Sequence, residues 1–249
     1  MKKIILSKVE TTAPKKFNKD QTKKELQKIK FRLEELQNLL YAESKHAVLI
    51  VLQGMDASGK DGVIKNVFGS VNPLGCRVFP FKAPTELEMK HDFLWRIHQQ
   101  VPEKGMIHIF NRSHYEDVLI QKVHQWVDNP TIARRYEHIT NFEKLLTDTG
   151  TVVLKFYLHV SKKEQLIRLQ ERMTDPAKKW KHSETDFKER EYWDDYMKAY
   201  ESAFENCSDA AAWHIVPADQ NWYKEYVIAK KVTETLEGLN MKFPGLKKG

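Results

Sequence analysis

Five short apolar runs punctuate the chain: Val48 to Leu52, Cys76 to Phe81, Met106 to Phe110, Val152 to Leu158 and Trp213 to Val216. Each is brief and bounded by polar or turn-forming residues, so each reads as a buried strand. Between them, apolar positions recur at steps of three and four. Leu26, Ile29, Leu33, Leu36 and Leu40 mark an amphipathic helix over 19–43 that leads into the first strand, with its stripe expected to pack on the sheet or on another subunit. Val63, Ile64, Val67 and Phe68 continue the same spacing after the first run. Ile132, Tyr136, Ile139, Phe142 and Leu145 predict a further helix, with Asn129 as N-cap and Pro130 as its first residue. Ser161 and Glu164 have the spacing of a capping box, and on the helix they open Arg168 and Arg172 share a face. Strands alternating with helical crossovers predict an α/β fold: about five parallel strands with helices on both faces.

The most specific chemistry sits where the first strand ends. Residues 47–61 read AVLIVLQGMDASGKD, an apolar run followed by two glycines five apart and a lysine. That is the layout of a phosphate-binding loop, Gly54, Met55, Asp56, Ala57, Ser58, Gly59, Lys60, Asp61 and Gly62, at a strand-to-helix turn. A phosphate chain must be surrounded by backbone N–H groups, and a glycine-rich turn lets the backbone come that close. A helix starting near Lys60 would aim its N-terminal donors at the anion, with the Lys60 ammonium as a mobile point charge. Where a hydroxyl residue usually follows the lysine, this chain has Asp61, and Asp56 lies inside the loop. Two carboxylates facing a polyanion imply a divalent cation between them. The alternative is that Asp61 caps the helix and Asp56 faces solvent.

The third apolar run ends in IHIFNRSHYEDVLI. Ligands gather at the carboxyl ends of parallel strands, so Asn111, Arg112, His114, Glu116 and Asp117 are expected beside the phosphate loop. This run ends in Asn111 rather than in an aspartate, so Glu116 or Asp117 must supply any metal-associated carboxylate. His114 reads as a structural histidine, with a base as the alternative. After Met173, Pro176 breaks the helix, and Ser183 with Asp186 suggests a restart. The basic, irregular stretch 173–190 between them reads as a lid that excludes water from phosphoryl transfer; the other reading is a plain surface excursion.

Composition sets bounds. The 249 residues suffice for one large domain over 1–249, with 1–18, polar and carrying Pro14, as an extended arm. A net charge of +7, much of it in the tail and in the stretch from Lys178 to Arg190, fits an anionic partner without choosing among anions. Cys76 and Cys207 have no metal or disulfide spacing and read as buried thiols in a reducing compartment. The apolar part of MKKIILSKVE is too short for a signal peptide and no run approaches the length of a membrane span, so the expectation is a cytoplasmic protein without membrane partners. No nucleic-acid motif is recognisable. Trp180, Trp193, Trp213, Trp222 and Tyr223 could stack on a base, although core packing suits most of them better.

GMDASGKDG, FNRSHYEDVL and the intervening FKAPTELEMKHDFLWRIHQQVP, in that order, resemble the polyphosphate kinase 2 family, specifically the class III type that phosphorylates both AMP and ADP. The resemblance runs from about Leu26 to Leu236. It implies a thymidylate-kinase-like, three-layer P-loop kinase fold, magnesium (with manganese as a substitute), inorganic polyphosphate as donor, adenine or guanine nucleotides as acceptors, and a homo-oligomer, dimer or tetramer. Carried over by motif, Asp56, Lys60 and Asp61 handle phosphate and metal, Glu116 joins them as a metal-associated and catalytic residue, and Arg112 and Arg172 neutralise the transferring group. Asn111, Arg112, Glu116 and Asp117 fall on the acceptor side. Class I members carry Asp and Asn where this chain has Asn111 and Glu116, which fits the AMP-accepting type. An acceptor phosphate is already ionised at neutral pH, so positioning and charge neutralisation suffice. Lys60, Lys82, Arg168, Lys178, Lys179, Lys181 and Arg190 are candidates for holding the polyphosphate chain. Two other classes of function remain open on the residues: an ATP-dependent nucleoside or nucleoside-monophosphate kinase, and a nucleotide-binding switch or polyanion-binding module without turnover.

Overall fold

A computed structural model of the protein describes residues 3–245. The first two residues of the expected arm, and Lys247 and Lys248 of the basic tail, lie outside that range. The five apolar runs form five strands: β1 (Ala47–Gln53), β2 (Cys76–Pro80), β3 (Ile107–Asn111), β4 (Thr151–His159) and β5 (Trp213–Pro217). They make one all-parallel sheet in the order β2-β3-β1-β4-β5. β1 is central and buried at every position, as its unbroken apolar run requires. The chain moves outward from β1 to β2, returns through β3, then crosses to β4 and β5 on the other side. The carboxyl ends of β1, β3 and β4 therefore surround a topological switch point, where open α/β sheets bind ligands.

The helices are α1 (Lys19–Glu43), α2 (Lys60–Phe68), α3 (Trp95–His98), α4 (Ile120–Val123), α5 (Asn129–Asp148), α6 (Lys162–Thr174), α7 (Glu184–Glu189), α8 (Trp193–Asn206) and α9 (Asn221–Gly238). α9 packs on α1, α2 and β5, while α5 packs on β4 and α8, so the sheet is covered on both faces. Asn18 caps α1, accepting from the backbone N–H of Asp20 and Gln21, and Leu26, Leu33, Leu36 and Leu40 are buried along it with Ile29 half-buried. The partner of that stripe is α9.

Several expected details shift. The cap of α5 is Asp128, which accepts from the N–H of Thr131, so Asn129 and Pro130 are its first two residues. Leu146 rather than Leu145 completes its buried stripe, and Leu145 is exposed. At α6, Ser161 accepts from the Glu164 N–H, but the Glu164 side chain turns to Arg168 at 2.9 Å instead of closing the box. Ser183 caps α7 through Thr185, leaving Asp186 free for another partner. Cys207 is buried but Cys76, on the edge strand, is only half-buried; both are free thiols.

The described part of the arm is tied down. Leu6 is buried in a short 3-10 turn, Leu6 and Val9 carbonyls lie 3.1 and 3.2 Å from His159 Nε2, and Leu6 N–H donates to Glu201. Thr11 exchanges two hydrogen bonds with Asp219, and Ala13 N–H donates to Gln220 Oε1 at 2.8 Å.

Behind the turn that follows β3 lies a buried polar group. Lys155 of β4 donates to Glu143 Oε2 at 2.5 Å, to Tyr115 Oη at 2.8 Å and to the Cys207 carbonyl at 2.6 Å. Tyr115 Oη donates on to Glu143 Oε1 at 2.8 Å, and His114 Nε2 stands 3.3 Å from the same oxygen. His114 is fully buried here, which makes it structural. Although burial alone would raise the Glu143 carboxyl, Lys155 and His114 hold it below the usual range. A buried pair leaves an uncompensated charge when one partner is removed. Glu143→Leu should therefore cost about 3–5 kcal/mol in urea unfolding, and the double variant with Lys155→Met should recover most of the loss. A single variant within about 1 kcal/mol of wild type would show that the pair does not hold this turn.

Candidate active site

The phosphate loop folds around three residues in the left-handed region: Gly54 (φ 148°), Ala57 (φ 60°) and Gly59 (φ 99°). At Gly54 a side chain would also collide with the Leu158 carbonyl, 2.9 Å from the position of a Cβ. The loop delivers α2 with Gly59 as its N-cap and Lys60 as its first residue, so the amides of the first turn open toward the carboxyl end of the sheet.

The carbonyls of the loop turn inward, and each has a donor. Lys60 Nζ donates to Gly54 O at 2.6 Å and Met55 O at 3.3 Å. Gln165 Nε2 donates to Asp56 O. Arg168 Nη1 donates to Ala57 O and Ser58 O, while its Nη2 donates to Ala218 O and Asp219 O and its Nε to Glu164. Lys224 Nζ donates to Ser58 O at 3.1 Å. Burial, reinforced by the Arg112 charge, pushes the Lys60 ammonium down to about 8.

The other wall comes from β3. Arg112 has φ 63°, a conformation that costs a non-glycine residue of order 1–3 kcal/mol, and strain of this kind gathers at functional sites. Its guanidinium pairs with the Asp56 carboxylate and lies 3.7 Å from Glu116. Burial would raise the Asp56 carboxyl, but Arg112, Lys60 and Arg172 together hold it below its ordinary value. Asn111 Nδ2 donates to Asp61 Oδ1 at 2.9 Å. Glu116 and Asp117 point to different neighbours. Glu116 faces Arg112, whereas Asp117 is buried against Arg135, which donates to its carbonyl at 2.7 Å, and burial pushes its carboxyl up to about 6.

The segment 173–190 bends back over the loop. Lys181 Nζ lies 2.5 Å from Asp61 Oδ2, and Arg172 Nη1 donates to Asp186 Oδ2 at 2.6 Å and to the Lys181 carbonyl at 3.3 Å. Between loop, β3 end and this segment lies an open basin of about 670 Å³. Eight basic side chains line it: Lys60, Lys82, Arg112, Arg168, Arg172, Lys178, Lys181 and Lys224. Five carboxylates, of Asp56, Asp61, Glu164, Glu171 and Asp186, share the lining. Lys179 and Arg190 do not line it, and Arg190 instead donates to the Lys162 carbonyl. Neither Glu116 nor Asp117 lines it; Glu116 lies 3.7 Å from Arg112, which does. A separate, mostly apolar hollow of about 740 Å³ lies between the 91–98 turn and α5, and no residue of the loop or of the 111–118 turn lines it.

Among the described residues no group of three or more His, Cys, Asp or Glu converges on a metal position. The donor set fits a magnesium ion held by one or two carboxylates and otherwise by phosphate oxygens and water, the usual arrangement for that ion, with Asp61 the more accessible carboxylate. Of the aromatic residues considered for base stacking, Trp193, Trp213 and Tyr223 are buried, Trp222 is half-buried, and Trp180 is exposed at the edge of the basin.

Pattern reading did not find Lys224, Gln165 or Asp186. Lys224 carried a readable signal: it lies four residues before Ile228 and eight before Val232, on the buried stripe of α9. Gln165 and Asp186 carried none, since their roles depend on partners more than ten residues away.

The sequence profile of the family Polyphosphate kinase 2 (PPK2) matches residues 16–244. An AMP/ADP-polyphosphate phosphotransferase of Meiothermus ruber is 53% identical over 86% of this chain and 80% of its own length. An ADP-polyphosphate phosphotransferase of Rhodopseudomonas palustris is 45% identical over 86% of this chain and 78% of its own. The crystal structure of polyphosphate kinase 2 from Arthrobacter aurescens superposes with a TM-score of 0.96 at 42% identity, covering 100% of this chain and 90% of that one.

The contact between Lys181 and Asp61 is the one ion pair among the described residues that joins the 173–190 segment directly to the loop. Asp61→Asn should speed limited trypsin cleavage at Lys178 and Lys179 by roughly two- to fivefold, the worth of a partly exposed pair. An unchanged rate would leave closure of the segment to its other contacts, among them Arg172 with Asp186 and Glu189 with His124.

Proposed function

The chain belongs to the polyphosphate kinase 2 family, and on that premise we propose that it transfers the terminal phosphoryl group of inorganic polyphosphate to AMP and ADP, making ADP and ATP. One observation carries the reading at the level of chemistry. The phosphate loop, Arg112 and the basic segment after α6 meet in a single basin large enough for a chain of phosphates.

The residues divide the work by position. The loop and the first turn of α2 hold phosphate oxygens through backbone amides, and Lys60 exchanges its carbonyl partners for phosphate when the anion arrives. Arg112 and Arg172 both line the basin and would neutralise the charge that spreads over the transferring group. Donor and acceptor are both anions whose reacting oxygens need no strong base, so in-line positioning is the main requirement. The anhydride broken and the anhydride formed are alike in energy, so the reaction is reversible. Lys82, Lys178 and Lys181 line the path a polyphosphate chain would follow. Glu116 lies 3.7 Å from Arg112, and its proposed role is on the acceptor side, as the likeness to class III implies.

Magnesium, or manganese in its place, is the proposed cofactor, supplying further charge neutralisation when bound; Asp56 and Asp61 are its proposed protein ligands, with Glu116 nearby. A homo-oligomer in the cytoplasm is the proposed setting; no helix of the described residues is long and apolar enough to cross a membrane.

Incubation with ADP and polyphosphate, with no ATP added, should yield ATP; failure to do so while ATP serves as a donor would replace this reading by an ATP-dependent kinase. Lys60→Ala should lower kcat/KM by about a thousandfold or more with the fold retained, and full activity would sink the site assignment. Glu116→Asn should impair AMP phosphorylation about tenfold more than ADP phosphorylation, as expected for loss of one charged contact, and equal losses would remove its role in acceptor choice.

A further inference from the structure

α9 sends one side chain into the back of the phosphate loop. Lys224 is 1% exposed, and its ammonium donates to Ser58 O at 3.1 Å and to Asn221 Oδ1 at 2.7 Å. Among the described residues no carboxylate lies within 4.0 Å of it. An ammonium carries three donors, so one is left unspent, and Lys224 also lines the basin beside Lys60. The loop is shaped to admit it: a Cβ on Gly59 would stand 2.0 Å from Lys224 Nζ. Gly59 thus serves two needs, a left-handed turn and the space through which a second amine reaches the mouth of α2.

We propose that Lys224 is a second phosphate-binding ammonium of the loop, contacting an oxygen of the polyphosphate donor from behind Gly59. This assignment rests on polyphosphate being the donor. The donor is the ligand proposed because Lys224 shares this basin with Lys82, Arg168, Lys178 and Lys181, the basic side chains expected to hold a polyphosphate chain. The charges facing the amine are Glu164 and Arg168 of α6, Lys60 of α2 and Glu225 of its own helix. Burial first, and Arg168 second, push it down to about 7, so amine and ammonium coexist near neutral pH and an arriving anion favours the ammonium.

The test is calorimetric titration of the full chain with tripolyphosphate, without nucleotide, at about pH 8 in two buffers of different ionisation heat. Wild type should bind with uptake of protons. Lys224→Met should bind about tenfold or more weakly and take up fewer protons, while KM for AMP stays within about twofold. Lys224→Arg, permanently charged, should recover much of the affinity without recovering the proton uptake. Thermal melts of both variants separate binding from folding. Affinity in Lys224→Met within about twofold of wild type overturns the proposal, whatever its melting temperature, and so does equal weakening in both variants with proton uptake unchanged. A wild type that binds no tripolyphosphate overturns the donor assignment itself, and this contact with it.

Discussion

A backbone that turns its amides toward an anion must turn its carbonyls the other way, and in a buried loop each carbonyl then needs a donor. That constraint organises this molecule. The carbonyls of Gly54, Met55, Asp56, Ala57 and Ser58 are met by Lys60, Gln165, Arg168 and Lys224, drawn from α2, α6 and α9. Arg168 gives Nη1 to this task and Nη2 to the Ala218–Asp219 turn, with its Nε held by Glu164, so α6 and that turn are locked to one short loop. A single fork-shaped cation does this better than an amine, because its donors leave in fixed directions.

The acidic side chains follow the same logic from the opposite sign. Asp56 is paired with Arg112, and Asp61 with Lys181 and Asn111, so each of these carboxylates inside the phosphate site has its own partner within the protein. Each of these pairs uses a cation that also faces the basin. The site can therefore exchange internal partners for substrate oxygens without stranding a charge in a poorly solvated place.

The sheet was legible because buried parallel strands are written as continuous apolar runs, and all five runs became strands within a residue or two of their expected ends. The phosphate loop was legible for a related reason: glycine spacing reports backbone geometry that other residues adopt at a cost. What could not be read depends on tertiary partners. Leu145 and Leu146 are equally apolar, and only the rotation of α5 against β4 decides which is covered. Glu116 and Asp117 are adjacent carboxylates, and the turn held by Tyr115 and Glu143 sends one toward Arg112 and the other toward Arg135. Arg168 and Arg172 were correctly seen to share a face, but the sequence did not show that one would grip loop carbonyls while the other met Asp186.

The arm brings the two ends of the chain together at the site's edge. Thr11 bonds Asp219, 208 residues away, and Asp219 and its neighbour Ala218 are the residues that Arg168 grips along with the loop. Contacts of such separation are slow to form, because the entropy of closing a long loop is spent before the contact returns anything. The phosphate loop is encoded within nine residues, yet through Arg168 it is tied to the Ala218–Asp219 turn, and through that turn to Thr11, so the cradle draws on segments near both ends of the chain.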